Sequence, residues 1–308
     1  MTSVLSPFIV CALLVVAMAA GQPSHGTAVR QIEVAGITRT YRLHLPRDLS
    51  STSAVPLVLV FHGGGSTAAA MERLTRFSEL ADRERLAVAY PQGLSNHWND
   101  GRDPAVMGAR GDVDDVPFVA ALIDELVREG RVDRQRVYAT GLSNGAIFSH
   151  YLGARLSDRI AAIAPVAGGI ADRFRPTFHP GAPVSVLMLQ GTADPFVPIA
   201  GGEVRGTRGR LIATEQAIEL WVKANSCRGP AISRDLPDVD PADGCRVTSH
   251  TWSGGRDGTE VIYDELKGGG HTWPGGPQYL PQLLVGRVCR DLDASAIIWE
   301  FFARHRKP

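Results

Sequence analysis

The chain has 308 residues, enough for one large α/β domain or two small ones. Its 32 Lys and Arg residues balance its 32 Asp and Glu residues, and 44% of the chain is hydrophobic. This composition is typical of a globular protein. The neutral balance argues against a nucleic-acid partner and against strong attraction to an anionic membrane.

A continuous apolar run from Phe8 to Ala20 stands near the start of the chain. It is shorter than the ~20 residues that span a bilayer, and small residues at positions 17–21 give it an Ala-x-Ala-like end. No Lys or Arg precedes the run. The pattern favours a signal peptide at residues 1–21, cleaved on export, over an uncleaved membrane anchor. We therefore expect a secreted or periplasmic protein with no stable membrane span after cleavage.

Strand-like and helix-like segments alternate along the rest of the chain, from residue 22 to residue 308. The predicted strands are 31–34, 38–44, 56–61, 86–90, 137–140, 160–166, 184–190 and 261–266. The predicted helices are 68–82, 116–129, 146–152, 214–224 and 294–303. This alternation predicts one α/β domain with a mostly parallel central sheet and helices on both faces. The first two strands are predicted to form an antiparallel pair at the edge of the sheet. Three long loops, at 91–113, 173–183 and 228–244, have the length that is typical of functional segments.

The segment Gly141–Gly145 has the pattern Gly-x-Ser-x-Gly between a predicted strand and a predicted helix. In this context the pattern predicts a sharp, strained turn that presents Ser143 at the edge of the sheet. Glycines flank the serine because a Cβ at either place would collide with the neighbouring strand or helix. A serine held in this way is suited to attack an acyl carbon.

A nucleophilic serine needs a base to take its proton and an acid to orient that base. Asp194 follows the predicted strand 184–190, although an aspartate before a proline can simply cap a turn. His271 lies in the glycine-rich loop 267–276, and the other eight histidines fit the base position less well. The chain order serine, acid, base is the order expected for this architecture. The sequence therefore predicts Ser143, Asp194 and His271 as a catalytic triad.

A glycine run after the predicted strand 56–61 could supply part of an oxyanion hole. The tetrahedral intermediate of acyl transfer needs two aligned backbone N–H donors. We expect one from Asn144, the residue after the nucleophile, and the other from Gly64, with Gly63 as the alternative. His62 is interpreted as a structural hydrogen-bonding residue rather than a base.

Three aromatic residues are candidates for the substrate pocket: Trp98, Trp273 and Phe196. For the two tryptophans, local packing of loops is an equally good interpretation. No His or Asp cluster has the spacing of metal ligands, so we expect neither a metal nor a cofactor.

Three cysteines remain once Cys11 is removed with the signal peptide. A bridge between Cys227 and Cys245 would close the Pro- and Asp-rich excursion 228–244 and leave Cys289 unpaired. Three free thiols and other pairings are the alternatives.

Taken together, these motifs resemble the polyhydroxybutyrate depolymerase-type esterases, an α/β-hydrolase family that overlaps with feruloyl esterase-like enzymes. The resemblance covers nearly all of residues 22–308 and implies an α/β-hydrolase fold and an exported serine esterase with the triad given above. Family members often carry a cysteine in the stretch that corresponds to Trp252–Gly255, whereas here the nearby cysteine is Cys245, which leaves the pairing open. The resemblance is carried by residues 62–65, 90–93, 98–102, 113–116, 141–146, 191–194, 270–275, 293–295 and 299–302.

The favoured hypothesis is a secreted serine esterase that hydrolyses carboxylic esters such as hydroxyalkanoate oligomers. Secreted polymer depolymerases usually add a linker and a polymer-binding domain after the catalytic domain, and neither precedes Pro308, so we expect soluble esters rather than crystalline polyester. The alternative is a feruloyl or acetyl esterase acting on plant cell-wall polysaccharide. A peptidase and a non-catalytic binding protein on a hydrolase scaffold are less favoured.

Overall fold

A ten-stranded sheet forms the centre of the molecule in the computed structural model, which describes residues 26–46, 49, 54–107, 113–206 and 208–308. The predicted signal peptide lies outside the described residues. The strands of the sheet are β1 (Gly26–Val34), β2 (Ile37–Leu45), β3 (Val55–Phe61), β4 (Ala87–Pro91), β5 (Val132–Leu142), β6 (Ala162–Val166), β7 (Ser185–Gly191), β10 (Ile232–Asp235), β11 (Arg246–Trp252) and β12 (Val261–Lys267). Two short strands, β8 (Gly202–Glu203) and β9 (Arg210–Leu211), form a separate hairpin.

The sheet has the order β1-β2-β4-β3-β5-β6-β7-β12-β11-β10. From β4 to β12 in this order, neighbouring strands run parallel. The pair β1–β2 is antiparallel and forms one edge, as predicted, and β11 and β10 form an antiparallel pair at the other. The prediction of a mostly parallel α/β sheet is confirmed.

Helices cover the sheet on both faces. The helices are α1 (Ala68–Thr75), α2 (Phe77–Glu84), α3 (Val116–Arg128), α4 (Asn144–Arg155), α5 (Thr214–Asn225), α6 (Gln282–Val285) and α7 (Ala294–Ala303). Along β3, Leu57, Leu59 and Phe61 pack into the core that contains α3, α4 and α5, whereas Val58 and Val60 pack into the core of α1, α2 and α7. This period of two is the alternation that a strand imposes on its side chains, and it produces two hydrophobic cores.

The helix predicted at 68–82 is wrong in one respect, because the structure breaks it into α1 and α2. Arg76 has φ 55°, in the left-handed region, and its amide donates to Glu72 O to end α1. The break redirects the chain so that Phe77 and Leu80 of α2 are buried. Both halves have helical periodicity, so the sequence pattern contained no interruption to mark the break.

The predicted bridge between Cys227 and Cys245 is wrong. The disulfide joins Cys245 and Cys289, whose Cα atoms are 5.4 Å apart, and Cys227 is a free, half-buried thiol. Cys245 and Cys289 belong to the core of α1, α2 and α7, whereas Cys227 packs against the core on the opposite face. A bond between Cys227 and Cys245 would have to cross the sheet.

The last residues of the chain run along the edge of the sheet where β5 and β7 begin. The amide of Lys307 donates to Gln135 O, and its ammonium donates to Pro183 O. The hydroxyl of Tyr138 donates to His305 O. These bonds hold the C-terminal segment at the amino-terminal edge of the parallel strands. Among the described helices, none is long and apolar enough to cross a bilayer.

Candidate active site

Ser143 occupies the sharp turn between β5 and α4, with φ 58° and ψ −118°. Few non-glycine residues adopt a positive φ, and such strain is common at functional sites. A Cβ at Gly141 would lie 2.6 Å from Phe61 O, and one at Gly145 only 2.3 Å from the same atom. The two glycines therefore let the turn approach the backbone of β3, as the sequence predicts.

Asp194 follows β7, and its two carboxylate oxygens have different partners. Oδ1 accepts hydrogen bonds from the amides of Phe196 and Val197 at 2.7 and 2.9 Å. Oδ2 lies 2.7 Å from His271 Nδ1, and the side chain has no exposed surface. Asp194 thus both caps a turn and pairs with the histidine. The turn-capping role and the contact with the histidine, which the sequence analysis treated as alternatives, are both present.

His271 is held by its backbone as well as by Asp194. Its amide donates to Val285 O at 2.6 Å, and Tyr279 donates its hydroxyl to His271 O at 2.9 Å. A Cβ at Gly270 would lie 2.3 Å from Val285 O, so this close approach requires a glycine. Because Nδ1 lies against the Asp194 carboxylate, the geometry favours the tautomer whose Nδ1–H donates to Asp194, which leaves Nε2 as the acceptor.

The sheet order brings the three predicted triad residues to one edge. Ser143, Asp194 and His271 follow β5, β7 and β12, which run parallel within four adjacent strands. The carboxyl ends of parallel strands meet at one edge, the usual place for ligand chemistry in such sheets. Among the described hydrogen bonds, one joins His271 to Asp194 and none joins it to Ser143. Catalytic hydrogen bonds often tighten only when substrate binds.

The predicted oxyanion glycines lie beside the serine turn. A Cβ at Gly63 would be 3.5 Å from Ser143 Cβ, and one at Gly64 would be 3.6 Å from Asn144 Cβ. The amide of Gly65 donates to Asn96 O at 2.8 Å, which leaves Gly63 and Gly64 as the candidates in this run. Asn144 is the first residue of α4, and the first amides of a helix have no partner within it.

His62 has the structural role expected from the sequence. Its Nε2 accepts from the Gly93 amide at 3.0 Å, so Nδ1 carries the proton and donates to Gly63 O at 2.9 Å. Burial lowers the pKa of His62 to about 4, because a charged ring would be desolvated there. The neutral ring therefore supports the glycine run instead of acting as a base.

The two tryptophans predicted to line the substrate pocket are buried in the protein core. Trp98 has 0% and Trp273 1% of its surface exposed, which leaves almost nothing for a substrate to contact. Trp98 stacks on Phe148, and the Trp273 indole donates to Ser295 Oγ. Their assignment to the pocket is corrected to core packing. Phe196 is half-buried, and its ring centroid is 5.0 Å from that of His271, so it stays a candidate.

An apolar rim next to His271 was missed from the sequence. Leu280, before α6, and Leu283 and Leu284, within α6, are exposed, and Leu283 is 94% exposed. Tyr279 connects this rim to the backbone of His271. The run of apolar residues after the histidine loop was the available signal. We refer to Tyr279, Leu280, Leu283 and Leu284 as the apolar rim.

A family model and three known proteins that match this chain are described as esterases. The model of the family described as Esterase PHB depolymerase matches residues 39–199. The putative esterase NocK of Nocardia uniformis subsp. tsuyamanensis is 33% identical over 291 residues, covering 89% of this chain and 82% of NocK. Feruloyl esterase B of Piromyces equi is 28% identical over 235 residues, covering 73% of this chain and 41% of that protein. An acetyl xylan esterase from Aspergillus awamori has a similar fold, with TM-score 0.57 and 15% identity over 80% of this chain and 94% of that one.

Proposed function

Because this chain belongs to the Esterase PHB depolymerase family, and is a carboxylic-ester hydrolase of the α/β-hydrolase fold, we propose that it works through an acyl-enzyme on Ser143. The observation that carries the proposal is the 2.7 Å contact between Asp194 Oδ2 and His271 Nδ1, at the sheet edge that presents the strained serine. Nucleophile, base and orienting acid then have the roles of a serine-hydrolase triad.

In the first half of the reaction, Ser143 Oγ attacks the ester carbonyl carbon while His271 Nε2 takes the hydroxyl proton. The carbonyl oxygen becomes an oxyanion, which the amides of Asn144 and Gly64 stabilise, with Gly63 as the alternative donor. The bond to the alcohol oxygen breaks as His271 returns the proton to the leaving alcohol. Water then attacks the acyl-enzyme by the same route, with Asp194 stabilising the imidazolium in both halves.

Two substrate classes are candidates for this esterase. The family description supports hydroxyalkanoate oligomers, and the apolar rim beside His271 offers a surface for an apolar acyl group. The similarity to a feruloyl esterase of Piromyces equi supports feruloyl esters, and the similarity to a bifunctional acetylxylan esterase/xylanase of Neocallimastix patriciarum supports acetyl esters, of plant polysaccharide. Rates on 3-hydroxybutyrate oligomers, methyl ferulate and acetylated xylan separate them, because each class predicts the highest kcat/KM on its own ester.

Labelling with a fluorophosphonate probe tests the nucleophile. Ser233 provides a matched control, because its hydroxyl also lies within hydrogen-bonding distance of a histidine, 2.8 Å from His250 Nδ1, but on the edge strand β10. We expect Ser143→Ala to abolish labelling and ester hydrolysis and Ser233→Ala to retain both. Hydrolysis by folded Ser143→Ala would refute the mechanism. Absence of labelling and turnover in the folded wild type would favour a binding protein on a hydrolase scaffold.

Export is a separate proposal, with a signal peptide at residues 1–21 and a catalytic domain at residues 22–308. It is supported by the apolar run near the start of the chain and by the Cys245–Cys289 disulfide, since such bonds persist mainly in oxidising compartments. N-terminal sequencing of the protein from the medium or periplasm tests it. We expect a start near residue 22, and an intact Met1 in active cytoplasmic protein would contradict export.

A further inference from the structure

We propose that the segment Trp98–Arg102 positions the two amide donors of the oxyanion hole relative to each other; this inference rests on the proposed function. The two donors come from separate parts of the fold. Asn144 begins α4, whereas Gly63 and Gly64 lie in the loop after β3. Stabilising an oxyanion requires both amides to be placed before the charge forms, so something must fix their separation.

The backbone of Trp98 holds the Asn144 side of the hole. The Trp98 amide donates to Asn144 Oδ1 at 2.9 Å, and Asn144 Nδ2 donates to Trp98 O at 3.0 Å. Asn144 is buried, so neither bond competes freely with water. This reciprocal pair fixes the side chain of the residue whose amide would face the oxyanion.

The side chain of Trp98 holds the other side of the hole. Its indole Nε1 donates to His62 O at 3.0 Å, and His62 directly precedes Gly63. The ring is locked by parallel stacking on Phe148, with centroids 5.1 Å apart, and by edge contact with Phe61 at 5.2 Å. One buried residue thus binds both halves of the oxyanion hole.

A buried ion pair between Asp100 and Arg102 also holds the side chain of Asn144. Asp100 Oδ2 accepts from Asn144 Nδ2 at 2.6 Å and from Arg102 Nη2 at 2.7 Å. Arg102 also donates to Arg208 O at 2.7 Å, and the side chains of both charged residues are almost fully buried. Because Arg102 neutralises Asp100, an oxyanion formed near Asn144 does not face an unpaired buried carboxylate.

Trp98 and Asp100 are therefore positioning residues that act through Asn144 and the glycine run. Removing one oxyanion donor typically lowers kcat by ~10²–10³, and a misplacement of about 1 Å can cost ~10². Loss of one positioning bond leaves both donors present, so we expect a smaller loss of about tenfold. The loss should fall on kcat with KM unchanged, because the oxyanion exists only in the transition state and intermediates.

The substitution Trp98→Phe tests this with a closely matched control. It removes the indole donor and keeps an aromatic ring and the backbone bonds to Asn144. Trp221 is also fully buried, and its Nε1 donates to His150 Nδ1 at 3.0 Å, so Trp221→Phe removes a comparable bond elsewhere. Both variants are assayed for kcat and KM on p-nitrophenyl acetate and for inhibition by phenylboronic acid, which forms a tetrahedral adduct with a nucleophilic serine.

We expect Trp98→Phe to lower kcat about tenfold, to weaken boronate inhibition by a similar factor and to change KM less than about twofold. Trp221→Phe should lower the unfolding temperature and leave kcat, KM and boronate inhibition at their wild-type values. If Ser143→Ala abolishes turnover but the two tryptophan variants have equal kcat, the inference is overturned. Unchanged boronate inhibition in Trp98→Phe would overturn it as well. Turnover that survives Ser143→Ala would instead refute the proposed function.

A second variant keeps the inference testable if Trp98→Phe does not fold. The double substitution Asp100→Asn with Arg102→Gln removes both buried charges together and retains an amide acceptor for Asn144. We expect a severalfold lower kcat at unchanged KM, because the charge-assisted bond to Asn144 Nδ2 is lost. A wild-type kcat in this folded variant would contradict the role of the ion pair.

Discussion

Removing the Cys245–Cys289 disulfide should strongly destabilise the protein. The bond closes a loop with a sequence separation of 44 residues, and in the chain-entropy model a loop of that length stabilises the folded state by about 4 kcal/mol. Both sulfurs lie in the core of α1, α2 and α7, so alanine at both positions adds a small cavity cost. We therefore expect Cys245→Ala with Cys289→Ala to lower the free energy of unfolding by about 4 kcal/mol.

Urea unfolding at neutral pH measures this loss, and Cys227→Ala is the control. Cys227 is a free, half-buried thiol, so its substitution should cost less than about 1 kcal/mol. Peptide mapping without reduction should recover one linked pair containing residues 245 and 289. A linked peptide that contains Cys227, or equal urea midpoints for the wild type and the double variant, would refute this reasoning.

Three further predictions concern pH, packing and substrate contact. The pKa of His62 is lowered to about 4 from 6.5, so between these values the unfolded state binds more protons at this residue. Its own contribution should lower the free energy of unfolding by about 2 kcal/mol between neutral pH and pH 5, and urea titrations should therefore show a fall that is smaller by about this amount in His62→Gln. Alanine at Gly145, whose Cβ would meet Phe61 O, should cost about 3 kcal/mol or more, whereas Gly181→Ala, with no close backbone neighbour, should leave thermal unfolding nearly unchanged. Replacing the exposed Leu283 by serine should raise KM about fivefold for p-nitrophenyl octanoate but not for the acetate, and equal KM changes would exclude acyl contact with the apolar rim.

The features that sequence analysis recovered are local. The strand before Ser143 and the helix after it have their own periodicities, and the glycines at 141 and 145 mark the close approach between them. Asp194 and His271 each follow a strand of a parallel sheet, so their common edge could be predicted without coordinates. The Asp194–His271 contact is consistent with that prediction.

The features that it missed depend on contacts between distant parts of the chain. Cys227 and Cys245 are close in sequence, but the sheet separates them, and no local pattern shows which face a cysteine will occupy. Trp98 lies in a long loop, a position equally consistent with a substrate pocket and with local packing, and its ring is packed against Phe61 and Phe148. The break at Arg76 likewise arises from the docking of α2 rather than from a helix-breaking residue.

The placement of the C-terminal segment has a practical consequence. The backbone of Lys307 is bound to Gln135 near the start of β5, whereas Ser143 follows the end of the same strand. A linker attached after Pro308 therefore leaves the molecule on the side remote from the reactive groups. Tethering the enzyme to a bead through that linker should orient every molecule with its reactive edge toward the bulk liquid, so that bulky esters reach it unhindered by the support.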